Sequence, residues 1–211
     1  MTSLSKLISI GSHPTGSKEV VINLEGFPNY GRHGEELLTM LRMKNGFYAF
    51  ESALQVFPAA HFVQEMTLSR WNSHGLWKSE YQGLADGKLF FAQEAFGNQF
   101  CIFQDQICFF DPETGDMEFV ADSITDWAEK ILTDYDMQTG YPLMRDWQKA
   151  NGKIPVGHRL MPKLPFVLGG EFALSNLYSL NAVSAMKSRG NLARQIKDLP
   201  DGTQIEFKIM S

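Results

Sequence analysis

The pattern of apolar and polar positions is most regular between residues 89 and 120, where four short apolar runs follow one another. These runs are Leu89–Ala92, Gln99–Phe103, Gln106–Phe110 and Met117–Val120. The segment 111–116 is typical of a turn, because Pro112 presets φ and Gly115 permits a positive φ. Parallel neighbours need a crossover of about a dozen residues, so connections this short predict an antiparallel meander.

An amphipathic helix is predicted directly after the meander. Ser123 is a suitable N-cap with Asp126 three residues later, which is close to a capping box. Apolar residues then recur at helical spacing and define one buried stripe. They are Ile124, Trp127, Ala128, Ile131 and Leu132. The sequence therefore predicts an α+β fold, an antiparallel sheet with helices packed on one face.

The flanking regions are less regular. Before the meander, 20–22 is a candidate strand, Glu35–Met43 a short helix, and Phe47–Phe57 fits strand and helix equally. After a domain at 1–137, residues 138–211 predict a C-terminal α+β extension, packed on or beside that domain. Its expected elements are a helix opened by Pro142 and closed by Asn151-Gly152, a proline-spaced linker at 155–165, strands at 166–170 and 171–174, a helix at 181–199 broken at Gly190, and a strand at 203–209.

Composition indicates a globular protein. The chain has 211 residues, of which 44% are hydrophobic and 20% charged. No apolar run reaches the ~18 residues that a membrane span needs, so we expect no membrane partner. Two cysteines can form at most one disulfide, which is too few to stabilise a chain of this length. Because disulfide-stabilised folds are typical of secreted proteins, we expect a cytoplasmic protein.

Acidic residues are concentrated in one stretch. Residues 104–146 hold 11 Asp and Glu side chains against Lys130 and Arg145, in a chain of formal net charge −5. Such a stretch repels nucleic acid and favours a basic protein partner, although an ordinary solvated surface has the same composition. The candidate partner-binding residues are Asp111, Glu113, Asp116, Glu118, Asp122, Asp126 and Glu129.

Motifs for catalysis or cofactor binding are incomplete. In Gly11–Lys18 the lysine falls one residue late for a phosphate loop, and a calcium loop starting at Asp134 has Arg145 where a Glu is needed. The five histidines lack zinc-ligand spacing. Nothing in the sequence fixes a separation for Glu94 and Glu118 as a carboxylate pair. We expect no cofactor, no metal site and no enzyme.

Two features concern the interior. If Gln104-Asp105 is a two-residue turn, Cys101 and Cys108 face each other as packing groups, whereas a three-residue loop would separate them.

Aromatic residues between 71 and 103 form a dense belt, for which core packing is the first interpretation and a ligand pocket the second. They are Trp71, Trp77, Tyr81, Phe90, Phe91, Phe96, Phe100 and Phe103.

Residues 35–132 resemble the SUKH superfamily, which includes the fungal cell-wall assembly regulators of the Smi/Knr type. The similar motifs are Asn45-Gly46 after the first helix, a strand ending in Phe91-Ala92, the turn Glu94-Ala-Phe-Gly-Asn98, two strands closing on Asp111, and the capped helix with Trp127. An immunity family associated with type VI secretion has a similar Phe-Gly-x-x-Phe strand.

The resemblance implies a binding function. Bacterial SUKH proteins are largely immunity proteins that neutralise a cognate toxin, often a nuclease or deaminase, in interbacterial competition. An acidic surface agrees with this, because it mimics phosphates and attracts a basic nuclease. The alternatives are a regulatory scaffold of the cell-wall-regulator type and a small enzyme with a site assembled from distant residues. Independently of the function, the sequence predicts a homodimer if the last strand leaves an open edge.

Overall fold

The computed structural model describes residues 1–18, 20, 30–59, 66–200, 202, 203 and 205. Most of the candidate strand at 20–22 and most of the candidate strand at 203–209 lie outside the described residues. The homodimer expected through that last strand therefore stays a prediction.

The described elements form two sheets and seven α-helices. The strands are β1 Phe47–Ala49, β2 Leu54–Val56, β3 Leu89–Gln93, β4 Gln99–Phe103, β5 Gln106–Phe110, β6 Met117–Ala121, β7 His158–Pro162 and β8 Leu177–Asn181. The helices are α1 Ser3–Ile10, α2 Gly31–Met43, α3 Leu68–Trp71, α4 Ile124–Thr133, α5 Tyr135–Thr139, α6 Tyr141–Asn151 and α7 Ala182–Ile196.

The main sheet is a six-stranded antiparallel meander. Each strand from β1 to β6 pairs with its neighbour in the sequence, and β7 and β8 pair in a separate sheet. The four predicted strands are β3 to β6, so the predicted α+β fold with an antiparallel sheet is confirmed. The undecided segment 47–57 supplies β1 and β2, whose three residues each are too few to establish a period.

The β4–β5 hairpin has the register that a two-residue turn requires. Gln104 has φ +47° and Asp105 has φ +60°, as in the mirror-image turns that match the twist of a hairpin. Cys101 and Cys108 are therefore direct cross-strand partners. Both are buried free thiols, as the sequence predicts for packing groups.

Helices α2 and α4, which the sequence predicts, form a layer on one face of the sheet together with α1, which it does not predict. The Trp127 ring of α4 packs against Phe91 and Phe100, with ring centroids 5.1 and 5.6 Å apart. Ser123 caps α4 as predicted, because its Oγ accepts from the Asp126 backbone N–H at 3.0 Å and donates to the Asp126 carboxylate at 2.6 Å.

The opposite face is covered as well, so the prediction of helices on one face only is incomplete. A 3₁₀ turn at Lys78–Tyr81 places Tyr81 5.4 Å from Phe110, between ring centroids, and α3 places Trp71 against Trp77. Helix α7 contacts the same 3₁₀ turn. Residues 66–88 have no clear apolar period, so the sequence did not indicate this second layer.

The C-terminal region differs from its prediction in several elements, and one of them is the strand β7, which lies inside the predicted linker at 155–165. Helix α6 begins with Pro142 in its first turn and ends at Gly152, as predicted. The predicted strands at 166–170 and 171–174 are wrong: 3₁₀ turns occupy Phe166–Leu168 and Leu174–Asn176. Gly170 donates to the Pro165 carbonyl at 2.9 Å and closes a loop there, while β7 and β8 lie on either side.

Gly190 does not break α7, which is continuous across it. A Cβ at this position would lie 2.7 Å from Cε2 of the Tyr81 ring. The glycine therefore permits close packing of α7 on the 3₁₀ turn, and the predicted helix break is wrong.

The C-terminal region attaches to the turn between β3 and β4. Ala95 donates its N–H to the Thr139 carbonyl at 3.1 Å and accepts the Leu160 N–H at 2.9 Å. Arg189 of α7 donates to the Phe96 carbonyl of the same turn. Side chains of α7 also belong to the hydrophobic core beneath the main sheet. Residues 138–196 thus share the core of the preceding region.

In the described part of the chain, every helix is too short or too polar to cross a bilayer.

Candidate functional site

The seven predicted acidic residues separate into an exposed and a buried group. The exposed group is Asp116, Glu118, Asp122, Asp126 and Glu129. Asp111 is half-buried and Glu113 is buried.

Glu113 is only 3% exposed and is not available to a partner. Its carboxylate accepts the Val167 N–H at 2.9 Å and lies 3.7 Å from Nε of Arg189, which is also buried. Asp111 accepts the Glu113 N–H at 2.7 Å. Burial raises the pKa of both carboxyl groups. These two acids hold the β5–β6 turn against the C-terminal region, so they do not belong to the predicted binding face.

Three of the exposed acids line one open groove, with a volume of about 400 Å³, between β6 and α4. We call it the β6–α4 groove. Its lining residues are Phe119, Val120, Ala121, Asp122, Asp126, Glu129, Lys130, Thr133, Asp134 and Gln138.

Helical spacing brings the acids of the groove together. Asp126, Glu129 and Thr133 follow one another at intervals of three and four residues, which places them along the same side of α4. Asp122 precedes the helix and Asp134 follows it, at the two ends of the groove. The groove therefore contains four carboxylates and one ammonium group, that of Lys130.

Phe119 is an exposed aromatic residue on the strand that borders this groove. The residue is 47% exposed although it is large and aromatic, and its pairing with Cys108 directs its side chain to the sheet face opposite Trp127. A half-exposed aromatic next to charged groups has the composition of an interface anchor.

Asp116 and Glu118 are exposed but lie outside the residues that line the groove. Asp116 belongs to the β5–β6 turn, and Glu118 is the neighbour of Phe119 in β6, where successive side chains alternate between faces. The structure thus brings together Asp122, Asp126 and Glu129, and separates them from the other four predicted residues.

Glu94 and Glu118 do not form a carboxylate pair, since Glu94 is buried and Glu118 is exposed. The Glu94 carboxylate accepts the Phe96 N–H at 3.0 Å and the Asn98 N–H at 2.8 Å. Burial raises the pKa of Glu94 to about 7, against the opposing effect of these donors and of two buried arginines, Arg189 and Arg159. Glu94 organises the β3–β4 turn.

Neither a protein-family model nor a curated protein matches this chain. Among solved structures, the crystal structure of Atu4351 from Agrobacterium tumefaciens is similar, with a TM-score of 0.55 and 15% sequence identity over 87% of this chain and 86% of that chain. The likeness is one of fold.

The remaining candidate residues are those of the aromatic belt and the possible metal ligands. The aromatic belt is buried apart from the half-buried Phe103, and it packs on both faces of the sheet. Among the described His, Cys, Asp and Glu side chains, no group of three could hold a metal ion.

Phe119 and Asp134 are an aromatic and an acidic groove residue that the sequence did not identify as binding residues. Phe119 was assigned to a strand, and its exposure could be foreseen only if β6 were known to be an edge. Asp134 enters the sequence analysis only as the first position of an incomplete calcium loop. Its position eight residues after Asp126 was the signal that could have placed it on the same helix side.

Proposed function

We propose that this protein is a non-catalytic binding module for a basic protein partner, and that it acts in the cytoplasm as an immunity protein against a nuclease-type toxin. The observation that carries the proposal is the β6–α4 groove, where four exposed carboxylates lie beside β6 and its half-exposed Phe119. The resemblance of residues 35–132 to SUKH immunity proteins agrees with it.

The chemistry of the groove favours a protein over a nucleic acid or a membrane surface. Four carboxylates against one lysine repel phosphates and attract Lys and Arg side chains. A toxin that binds nucleic acid carries such a basic surface, so an acidic groove can compete for it. Electrostatic attraction speeds the encounter, and the apolar Phe119 supplies a contact that salt does not screen.

The proposal is tested by growth rescue. The C-terminal domain of a large secreted protein encoded beside this gene is expressed in a bacterial host with and without the present protein. We expect the domain to stop growth alone and to be tolerated in the presence of its partner. Binding without toxicity would instead favour a regulatory scaffold.

Charge reversal tests whether the groove is the surface involved. We expect Asp122→Lys with Glu129→Lys to abolish rescue and to weaken binding at least tenfold at low salt. The matched control is Glu171→Lys with Asp198→Lys, which changes the net charge equally at exposed sites outside the groove. Equal binding by both double variants would contradict the proposal.

A further inference from the structure

Among the described residues, the outer edge of β6 carries backbone groups that no strand pairs with. β6 is a terminal strand of the six-stranded sheet. Phe103 and Gln106 flank the two-residue turn and so exchange hydrogen bonds, and pairing then alternates along β5. Phe109 therefore directs its N–H and C=O toward Glu118, its partner in β6.

This alternation directs the N–H and C=O groups of Met117 and Phe119 away from β5. The Asp111 N–H donates to the Asp116 carbonyl at 3.0 Å, which fixes the same phase at the start of β6. No described residue donates a hydrogen bond to these outward groups or accepts one from them. An edge of this kind is a template for an added strand.

The β6–α4 groove runs beside this edge. Phe119 to Asp122 form one wall and the acidic side of α4 forms the other. Four residues in extended conformation span about 13 Å, and the eight-residue separation of Asp126 from Asp134 corresponds to about 12 Å along a helix. An extended segment paired with β6 would therefore pass the whole acidic side of α4.

We infer that the partner docks by adding an extended, lysine- or arginine-bearing segment to the outer edge of β6, with its basic side chains over α4. This inference rests on the proposed function, whose binding surface it specifies. The acidic residues beside the edge favour a basic segment over a second copy of this chain. A second copy of this chain would bring Glu118 and Asp122 against the same acids of its partner, and like charges across paired strands are destabilising.

The test uses a peptide probe, so that it does not depend on the toxin. An acetylated, amidated heptapeptide of alternating lysine and valine is titrated at low salt into the ¹⁵N-labelled full chain. We expect chemical-shift changes at residues 117–122 and slower hydrogen exchange of the Met117 and Phe119 amides. A peptide N-methylated on its pairing edge, with the same charge, should bind at least tenfold more weakly. The glutamate analogue should not bind.

Two variants separate backbone pairing from side-chain contact. Phe119→Pro removes an outward N–H without removing a bond to β5, and it should abolish the changes at 117–122. Phe119→Ala keeps that N–H and should weaken binding only a few-fold. If Phe119→Pro fails to fold, the N-methylated peptide still decides the question.

Three outcomes would overturn the inference: changes confined to α4 and indifferent to N-methylation, no binding, or a homodimer that pairs β6 with β6. The proposed function fails separately, if wild-type protein gives no growth rescue. Rescue that Phe119→Pro preserves in full would remove strand addition and leave the proposed function standing.

Discussion

Glu94 illustrates how one buried carboxylate can organise a turn that other parts of the chain then use. Its oxygens accept two backbone N–H groups of the β3–β4 turn. The Ala95 backbone in that turn bonds Thr139 and Leu160, so the carboxylate indirectly supports the C-terminal region. Burial raises its pKa to about 7, which makes this support sensitive to pH.

We expect Glu94→Gln to change how stability depends on pH. The pKa of Glu94 is about 7 in the folded protein and about 4.5 in the unfolded chain. As pH rises from 4.5 to 7, ionisation therefore favours the unfolded chain, and the free energy of unfolding falls. Glutamine has no such charge. The variant should therefore gain about 3 kcal/mol relative to wild type between pH 4.5 and pH 8.

Urea unfolding at intervals across this pH range measures the difference, with the exposed Glu118→Gln as the matched control. Parallel stability curves for Glu94→Gln and wild type would show that the carboxyl group titrates normally in the fold.

The sequence predicts acidic residues but not which of them are buried. Glu113 and Glu118 look alike in the chain, in adjacent turn and strand positions. Glu113 is buried because Arg189 and Val167, more than fifty residues later, close over it. No local pattern carries that information, so the buried acids were assigned to the surface.

Among the elements, α7 depends on a close approach that only glycine permits. The Tyr81 ring beneath Gly190 is fully buried, and its hydroxyl donates to the Pro112 carbonyl at 3.0 Å, so the ring has little room to move. Alanine gains about 1 kcal/mol in helix propensity, whereas overpacking a core costs about 1–3 kcal/mol.

We therefore expect Gly190→Ala to lower the free energy of unfolding by up to about 2 kcal/mol, measured by urea denaturation at neutral pH. Gly75→Ala is the matched control, because a Cβ there meets no atom within 4 Å, and it should be close to neutral. A stabilised Gly190→Ala would mean that Tyr81 yields easily and that helix propensity dominates.

Elements were predictable where local signals agreed. Strands β3 to β6 combine apolar runs with short turns, and α4 combines a cap with a complete apolar stripe. β7 was not predicted because a charged residue, Arg159, and a proline, Pro162, are typical of a linker and not of a strand. Arg159 is buried against Gln55 of β2, a pairing between residues 104 positions apart. Tertiary contacts, not local propensity, make β7 a strand.

At the scale of the whole molecule, the C-terminal region completes the core. We expect a chain truncated after residue 137 to lose cooperative unfolding and to aggregate, because Met186 and Ala193 no longer cover the second face of the sheet. Size-exclusion chromatography and urea denaturation followed by tryptophan fluorescence measure this. A monomeric fragment with one sharp transition would show that residues 1–137 fold alone.

The main sheet and the α7 residues that pack on its second face are far apart in the sequence, and this has a consequence during synthesis. Each strand of the meander can pair as soon as its neighbour leaves the ribosome, but Met186 follows its contact Gln99 by 87 residues. At about 5–20 residues per second, the nascent chain exposes the second face of its sheet for roughly 4–17 seconds. Chaperones that recognise apolar surface therefore have a defined interval in which to bind, and slow codons between positions 99 and 186 would lengthen it.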